Sequence, residues 1–264
     1  MNFIVERTPL FTLVLIRISG LLVAAPLFSN SMINAKVKVF FSFALAALLT
    51  SLLSASAHKA TALDWIGAAA CEFGVGLILG FGARIAFSAA SMAGELMGLQ
   101  MGIGQAALYD PNSEQQVSPL EQFYSAAFLG VFIAIDGHHH ILRALKESFV
   151  LLPIERTSTF HIPIDVLIVQ TTRMLACGCR MAAPVVAPLL LLSIAVALVS
   201  RAYPQMSVYS LSYGVSILAG MFLLAASVPG MRIMAEETVR DMDRLAIDLL
   251  HAIGTLPFGG FAHG

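Results

Sequence analysis

Charge is what this 264-residue chain has least of: 12% of its residues are charged, beside 58% that are hydrophobic. Soluble domains run near a quarter charged, so a water-exposed globule is excluded and lipid is implied. The 15 basic and 16 acidic side chains leave a formal net charge of −1, which argues against the positive field of a nucleic-acid-binding surface. Cysteine is scarce and odd in number. Cys71, Cys177 and Cys179 all lie in apolar stretches and read as packed thiols, not as a disulfide framework. The signatures of enzymes are missing as well. No G-x-S-x-G elbow occurs, and "GLQMGIG" has neither a preceding strand nor a following Gly-Lys-Ser/Thr to make it a phosphate cradle. His138, His139 and His140 are consecutive. Neighbours on a helix diverge by about 100°, so the three cannot all ligate one metal from a regular helix, and they read instead as a polar helix end at the membrane interface. No catalytic residue, metal or cofactor is expected.

Long apolar runs are what the chain has in abundance. A membrane-crossing helix needs about 20 mostly apolar residues. Residues 39–57, 181–200 and 208–229 meet this without a charge. Residues 10–28 with Arg17, 65–90 with Glu72 and Arg84, and 123–142 with Asp136 meet it with embedded charge. The implied architecture is an all-α integral membrane domain of about six segments over residues 1–231, then an amphipathic C-terminal helix and a flexible tail over 232–264. Arg7 ahead of an apolar run resembles a secretory leader, but the run is long, Arg17 interrupts it and no A-x-A-like site follows, so it reads as a retained helix. Alternating spans would put Arg7, Lys59, Arg143, Lys146, Arg156, Arg232, Arg240 and Arg244 on one side and only Lys36, Lys38 and Arg201 on the other. The positive-inside rule then places both termini in the cytoplasm.

Two regions resist a simple count of spans. From Trp65 to Gln105 there is no proline and no polar break, so either a hairpin or a helix projecting past the bilayer is expected. This stretch carries the small-x-x-x-small pairs Gly76/Gly80, Gly94/Gly98 and Gly98/Gly102, which let helix backbones approach closely, within the chain or against neighbouring subunits. Farther on, Pro184 and Pro188 should kink or interrupt a helix and Pro204 should help to end it. Arg173 and Arg180, seven residues apart, share a helical face ahead of that break. The embedded charges Arg17, Glu72, Arg84, Glu95, Asp136, Arg173 and Arg180 are costly against lipid. They are expected to be buried against protein or water, paired within the fold in preference to forming a proton relay. In the C-terminal segment, Met242, Leu245, Leu249 and Ile253 with Ala246 and Leu250 make an apolar stripe, and Glu236/Arg240 and Arg244/Asp248 sit one turn apart on the wet face. That helix would lie on the membrane or on a partner.

The stretches "GELMGLQMGIGQAALYDPNSEQQ" and "FLGVFIAIDGHHHILRALKESFVLLPI" resemble the flagellar biosynthesis protein FliR and its SctT-like injectisome counterpart, the export-gate subunits of type III secretion systems. The likeness extends to "LIRISGLLVAAPLFSNSMINAKVKV" and to "VVAPLLLLSIAVALVSRAYPQMSVYSLSY", covering most of residues 10–229. The "GLQMG" form is more similar to the flagellar branch; an injectisome subunit is the alternative. A small-molecule or ion transporter would be expected to show inverted repeats with midplane polar residues in matching positions, and no such symmetry is visible.

The resemblance implies long, kinked and hairpin helices assembled in a helical, pore-centred gate at the bacterial inner membrane, within the flagellar basal body. Implied partners are FliP-like and FliQ-like gate subunits, a FlhB-like switch subunit, a FlhA-like export subunit, exported unfolded proteins and membrane lipid. In that family the assembly sits largely above the membrane plane, which leaves the six-span count open. The family's loop matching Gly102 to Gln116 plugs the closed pore. On this chain the implied plug residues are Gly102, Gly104, Gln105, Tyr109, Asp110, Pro111, Asn112, Ser113, Glu114 and Gln115. Residues of these types suit a plug. Glycines adopt backbone conformations closed to other residues, Asp110 before Pro111 favours a turn, and the amides and carboxylate are content in water. Met97 and Met101 flank the segment, and their flexible thioethers would seal irregular gaps in the pore.

Overall fold

The computed structural model describes residues 2–26, 34–53, 62–103, 118–154, 164–202 and 208–254. Among these, seven helices follow one another: α1 (Asn2–Ala24), α2 (Ala35–Leu52), α3 (Ala62–Met101), α4 (Pro119–Ala134), α5 (Gly137–Leu151), α6 (Ile164–Ala202) and α7 (Val208–Gly254). No strand occurs among the described residues, so the all-α reading holds. The chain divides into two compact units: Met1–Arg84 with Gly137–Gln170 and Arg240–Gly264, and Ile85–Asp136 with Thr171–Val239.

No hairpin forms between Trp65 and Met101, the described helical part of the stretch for which one is an expectation. α3 runs unbroken for 40 residues, about 60 Å at 1.5 Å per residue and twice the thickness of a bilayer core. Several of its glycines are contact points for neighbouring elements, and none of them breaks the helix. In the first unit a Cβ on Gly80 would stand 2.6 Å from the Leu21 carbonyl and from Ala24 Cβ, one on Gly76 would collide with the Arg17 carbonyl, and one on Gly20 of α1 with the Phe73 carbonyl. In the second unit a Cβ on Gly94 would stand 2.8 Å from Glu121 Cα of α4, and one on Gly98 2.8 Å from Ser118 Oγ. The small-residue pairs therefore serve packing within this chain, the first of the two uses expected of them.

The core of the first unit joins Leu13, Val14, Ile18 and Leu21 of α1, Val75, Ile78 and Leu79 of α3, and Ile141, Leu145 and Phe149 of α5. α2 packs beside α1, with Phe11 and Phe43 5.8 Å apart between ring centroids. Its buried stripe is Ser42, Ala46, Leu49 and Thr50, whereas Phe40 is 77% exposed. Small and hydroxylated side chains inside with large apolar ones outside is the arrangement of a helix whose outer solvent is hydrocarbon.

In the second unit, Ala86, Ala89, Ala90, Ala93, Met97 and Met101 form one face of α3, and their small size admits the aromatics of α4. Phe87 meets Phe128 edge-on at 5.3 Å and Phe132 at 5.1 Å, geometries that favour aromatic pairs beyond simple burial. Pro119 at the first turn of α4 suits a helix start. The expected single span over 123–142 is broken, because α4 ends at Ala134 and Asp136 adopts φ +59°, a left-handed conformation that Asp tolerates better than most residues.

Pro184 and Pro188 lie inside α6 without interrupting it, and Pro204 falls outside the described residues. The C-terminal amphipathic segment is not a separate element: it is the last part of α7, which continues through Pro229 for 47 residues. There Met242 is buried, Arg232 pairs with Glu236 at 3.1 Å, and Arg244 reaches Asp241 at 3.9 Å.

Among the described residues, four helices are long and apolar enough to cross a membrane: α2, α3, α6 and α7; the bent pair α4–α5 brings the number to five if it counts as one span. The apolar part of α1, Thr8–Ala24, is shorter. Of these apolar windows, that of α3 is 44% buried within the chain, against 17% for α6 and 11% for α7. α3 is thus the most enclosed of these helices, and the outer faces of α6 and α7 are left for lipid or protein.

Candidate functional site

Two constellations stand out, one in each unit. In the first, Arg17 and Glu72 are entirely buried. The guanidinium grips the carboxylate with both arms, Nε to Oε2 at 2.5 Å and Nη2 to Oε1 at 3.0 Å. It also donates to Ser148 Oγ (3.1 Å) and to the Leu152 carbonyl (3.0 Å), and it lies 4.2 Å from the centre of the Phe149 ring. Ser148 in turn donates to the Leu145 carbonyl at 2.7 Å. Gly20 and Gly76, each about one turn from a member of the pair, let α1 and α3 come close enough for this bidentate grip. The arrangement ties α1, α3 and α5 together through charge-assisted bonds in a low-dielectric setting.

The pairing expected of embedded charges is therefore present for Arg17 and Glu72. The chain does not bury the other five. Arg84, Glu95, Asp136, Arg173 and Arg180 are exposed on it, since none of its described helices covers them. Arg180 reaches Glu237 at 3.8 Å, with both side chains exposed. Cys71 and Cys177 are partly buried and Cys179 is exposed, none of them in a disulfide among the described residues; Cys177 Sγ lies 3.5 Å from Thr238 Oγ1. In the first unit His138 and His139 stack with ring centroids 4.2 Å apart.

The second constellation is the end of α3. Gly102 has φ +79°, and its amide donates to the Leu99 carbonyl at 3.1 Å, a tightened last turn that closes in a left-handed residue. The conformational freedom expected of Gly102 is thus in use. A Cβ there would meet Cδ1 and Cε1 of Tyr213 at 2.9 and 3.0 Å. Met97 and Met101 are both fully buried within this chain. Met101 fills the space left by Gly220, whose built Cβ would come within 2.5–2.7 Å of the thioether. Gln100 donates to Ser193 Oγ of α6 at 3.2 Å. Around this helix end lies a cavity of about 290 Å³ bounded by Gln100, Gly102, Ser193, Ser200, Ser212, Tyr213 and Ser216, with no charged side chain in its wall among the described residues.

Gly104, Gln105, Tyr109, Asp110, Pro111, Asn112, Ser113, Glu114 and Gln115 fall outside the described residues. Tyr213, Gly220 and the four serines are not legible in the apolar pattern, which presents 181–200 and 208–229 as plain spans. A signal is there nonetheless: Ser212, Ser216 and Gly220 recur every four residues, marking one small, partly polar stripe on α7.

The model of the bacterial export proteins, family 1, matches residues 8–242, and that range contains both constellations. The chain belongs to the bacterial export proteins, family 1. Among its relatives in this family are three proteins called flagellar biosynthetic protein FliR. That of Bacillus subtilis (strain 168) is 29% identical over 227 residues, 85% of this chain and 88% of the relative. That of Escherichia coli (strain K12) is 26% identical over 236 residues, 89% and 90% of the two chains. That of Buchnera aphidicola subsp. Baizongia pistaciae is 29% identical over 215 residues, 81% and 83%. The resemblance drawn from the sequence motifs is thereby borne out, and the family's membrane character agrees with the apolar helices of this export protein.

Proposed function

We propose that this chain is a subunit of the type III protein export gate of the bacterial flagellum, part of an inner-membrane-associated channel through which unfolded flagellar proteins leave the cell. The observation that carries the reading is the match to FliR proteins over more than four fifths of both chains. The gate assembles with FliP-like and FliQ-like subunits and works with FlhB-like and FlhA-like components. Outward-facing apolar side chains such as Leu218, Phe222 and Leu191 provide ample surface for lipid and partners.

The segment from Gly102 to Gln116 plugs the closed pore. Its polar, turn-forming composition suits a plug that fills a watery channel and moves aside without stranding apolar surface, and Gly102 at the end of a 40-residue helix suits its point of departure. The exported chain, together with the proton-motive-force-driven machinery beneath, favours the open state by interacting unequally with the two.

Two measurements test the reading. Co-expression with the FliP-like and FliQ-like partners, followed by native mass spectrometry, yields a discrete hetero-oligomer containing this chain; a lone monodisperse monomer overturns the subunit assignment. Deleting Ala106 to Gln115 leaves assembly intact and makes the membrane leak ions, and an unchanged leak overturns the plug.

A further inference from the structure

We propose that the cavity of the second unit, bounded by the end of α3 with α6 and α7, is a lipid-headgroup site that takes the ammonium and phosphate of a phosphoethanolamine lipid. It rests on the membrane character of the chain and on none of the gating steps above. The wall of the cavity is rich in hydrogen-bond acceptors. Ser193 donates its proton to the Leu189 carbonyl at 2.9 Å, and Ser200 donates its own to the Ala197 carbonyl at 2.8 Å. A hydroxyl holds one donor and two acceptor lone pairs, so these two side chains have only lone pairs left to offer. The Gln100 amide nitrogen donates to Ser193 Oγ at 3.2 Å, as it must when the Ser193 proton is engaged elsewhere. That orientation leaves the Gln100 amide oxygen as a further acceptor. α3 ends in the same place, and the last carbonyls of a helix lack intrahelical donors and form the negative end of its dipole. No charged side chain stands in the wall among the described residues. A group that brings several N–H donors and a positive charge matches such a wall, whereas a carboxylate or a phosphate by itself is repelled by it.

Its place in the fold says which ammonium. One candidate span ends at Ala202 and the next begins at Ser212. The cavity has Ser200 on the first and Ser212 on the second, so it lies where hydrocarbon gives way to headgroups. Tyr213 in its wall is exposed and is of the residue type that gathers at that boundary. Arg201 follows Ser200 in the last turn of α6 and is exposed. A guanidinium binds a phosphate through two parallel hydrogen bonds, and this one stands a single residue from the wall. Acceptors for an ammonium beside a guanidinium for a phosphate match the two halves of a zwitterionic headgroup. A choline lipid carries the same two charges with no N–H donor, and a phosphoglycerol lipid carries the phosphate with no ammonium, so the three headgroups are distinguished by this wall.

The test uses the full-length chain with whatever subunits accompany it, reconstituted into vesicles of equal parts phosphatidylethanolamine, phosphatidylcholine and phosphatidylglycerol. The lipids retained after gentle extraction are counted by native mass spectrometry. Phosphatidylethanolamine is expected to be retained about tenfold over phosphatidylcholine, as the loss of charge-assisted hydrogen bonds implies. In vesicles of its N-methyl and N,N-dimethyl derivatives, retention should fall with each N–H removed. Gln100→Leu with Ser200→Val should bring phosphatidylethanolamine down to the level of phosphatidylcholine, whereas Arg201→Gln should lower both and leave the preference between them. Equal retention of ethanolamine and choline lipids by the wild type overturns the inference, as does phosphatidylglycerol held as well as phosphatidylethanolamine. A preference undiminished in the acceptor variant, or retention unmoved by Arg201→Gln, overturns it too. Should the double variant fail to assemble, the methyl series decides, since it needs no substitution: retention indifferent to methylation overturns the site. No leak is measured, so the plug and this site stand or fall separately.

Discussion

Glu72→Ala is the substitution that best probes how the first unit is held. It strips a fully buried guanidinium of its bidentate partner and leaves Arg17 with one hydroxyl, one carbonyl and the Phe149 ring. Breaking a buried pair by removing one partner costs about 3–5 kcal/mol, because the remaining charge stays desolvated. That is roughly two to three and a half powers of ten in the folding equilibrium. Replacing both partners, Arg17→Met with Glu72→Leu, removes the charge problem altogether, and such exchanges are often neutral or stabilising. Here the Leu152 carbonyl loses its donor, worth about 1 kcal/mol, while Ser148 keeps its bond to Leu145. The double variant should therefore fall within about 1–2 kcal/mol of wild type although each single one is severely destabilised. Thermal unfolding of the detergent-solubilised assembly, run as a double-mutant cycle, reads the coupling directly. A Glu72→Ala loss below about 1 kcal/mol, or a double variant equal to the sum of the singles, would refute the reasoning, since it would mean that the pair is hydrated or exchangeable.

Other substitutions probe other contacts. Gly76→Val drives a side chain into the Arg17 carbonyl and should cost about 1–3 kcal/mol or more, whereas Gly130→Ala, with open space around it, should be neutral or stabilising by about 0.5–1 kcal/mol; equal effects in the same unfolding assay would contradict the packing described. Phe128→Ala empties a fully buried site beside Phe87, with an expected loss of about 3–5 kcal/mol, and a loss under about 1 kcal/mol would show that the site collapses freely. For orientation, membrane-impermeant thiol labelling in a background without native cysteines should reach Arg143→Cys from the cytoplasmic side and Lys36→Cys from the other. Labelling of both from one side would overturn the positive-inside assignment.

Some of these features are open to inspection in the residues alone and others are not. Apolar runs and the scarcity of charge reveal helices in lipid because hydrophobicity over 20 residues is a local, additive property. The motif around "GLQMG" and "YDPNS" reveals the family for a similar reason: it is written in consecutive letters. That Arg17 and Glu72 lie in different spans suggests pairing, since a lone charge there is expensive. But the choice of Glu72, and not Glu95 or Asp136, depends on Gly20 and Gly76 meeting across two helices, in a pair whose members stand 55 residues apart in sequence. Arg84, Glu95, Asp136, Arg173 and Arg180 show the limit of the local rule: the same chemistry leaves them exposed, because no described helix of this chain covers them.

The sequence by itself determined that the chain is helical, belongs in a membrane and carries a polar, glycine-led break after Met101, for these follow from composition and short-range pattern. Only the tertiary structure decided that the glycines of α3 leave it unbroken between Ala62 and Met101, that Asp136 divides an apolar run, that Met97 and Met101 turn inward, and that Tyr213 stands against Gly102. Each of these is settled by what lies across from a residue. A glycine ends a helix or seats a neighbour according to whether another backbone arrives at its open face, and that neighbour is named by the fold, not by the adjoining letters.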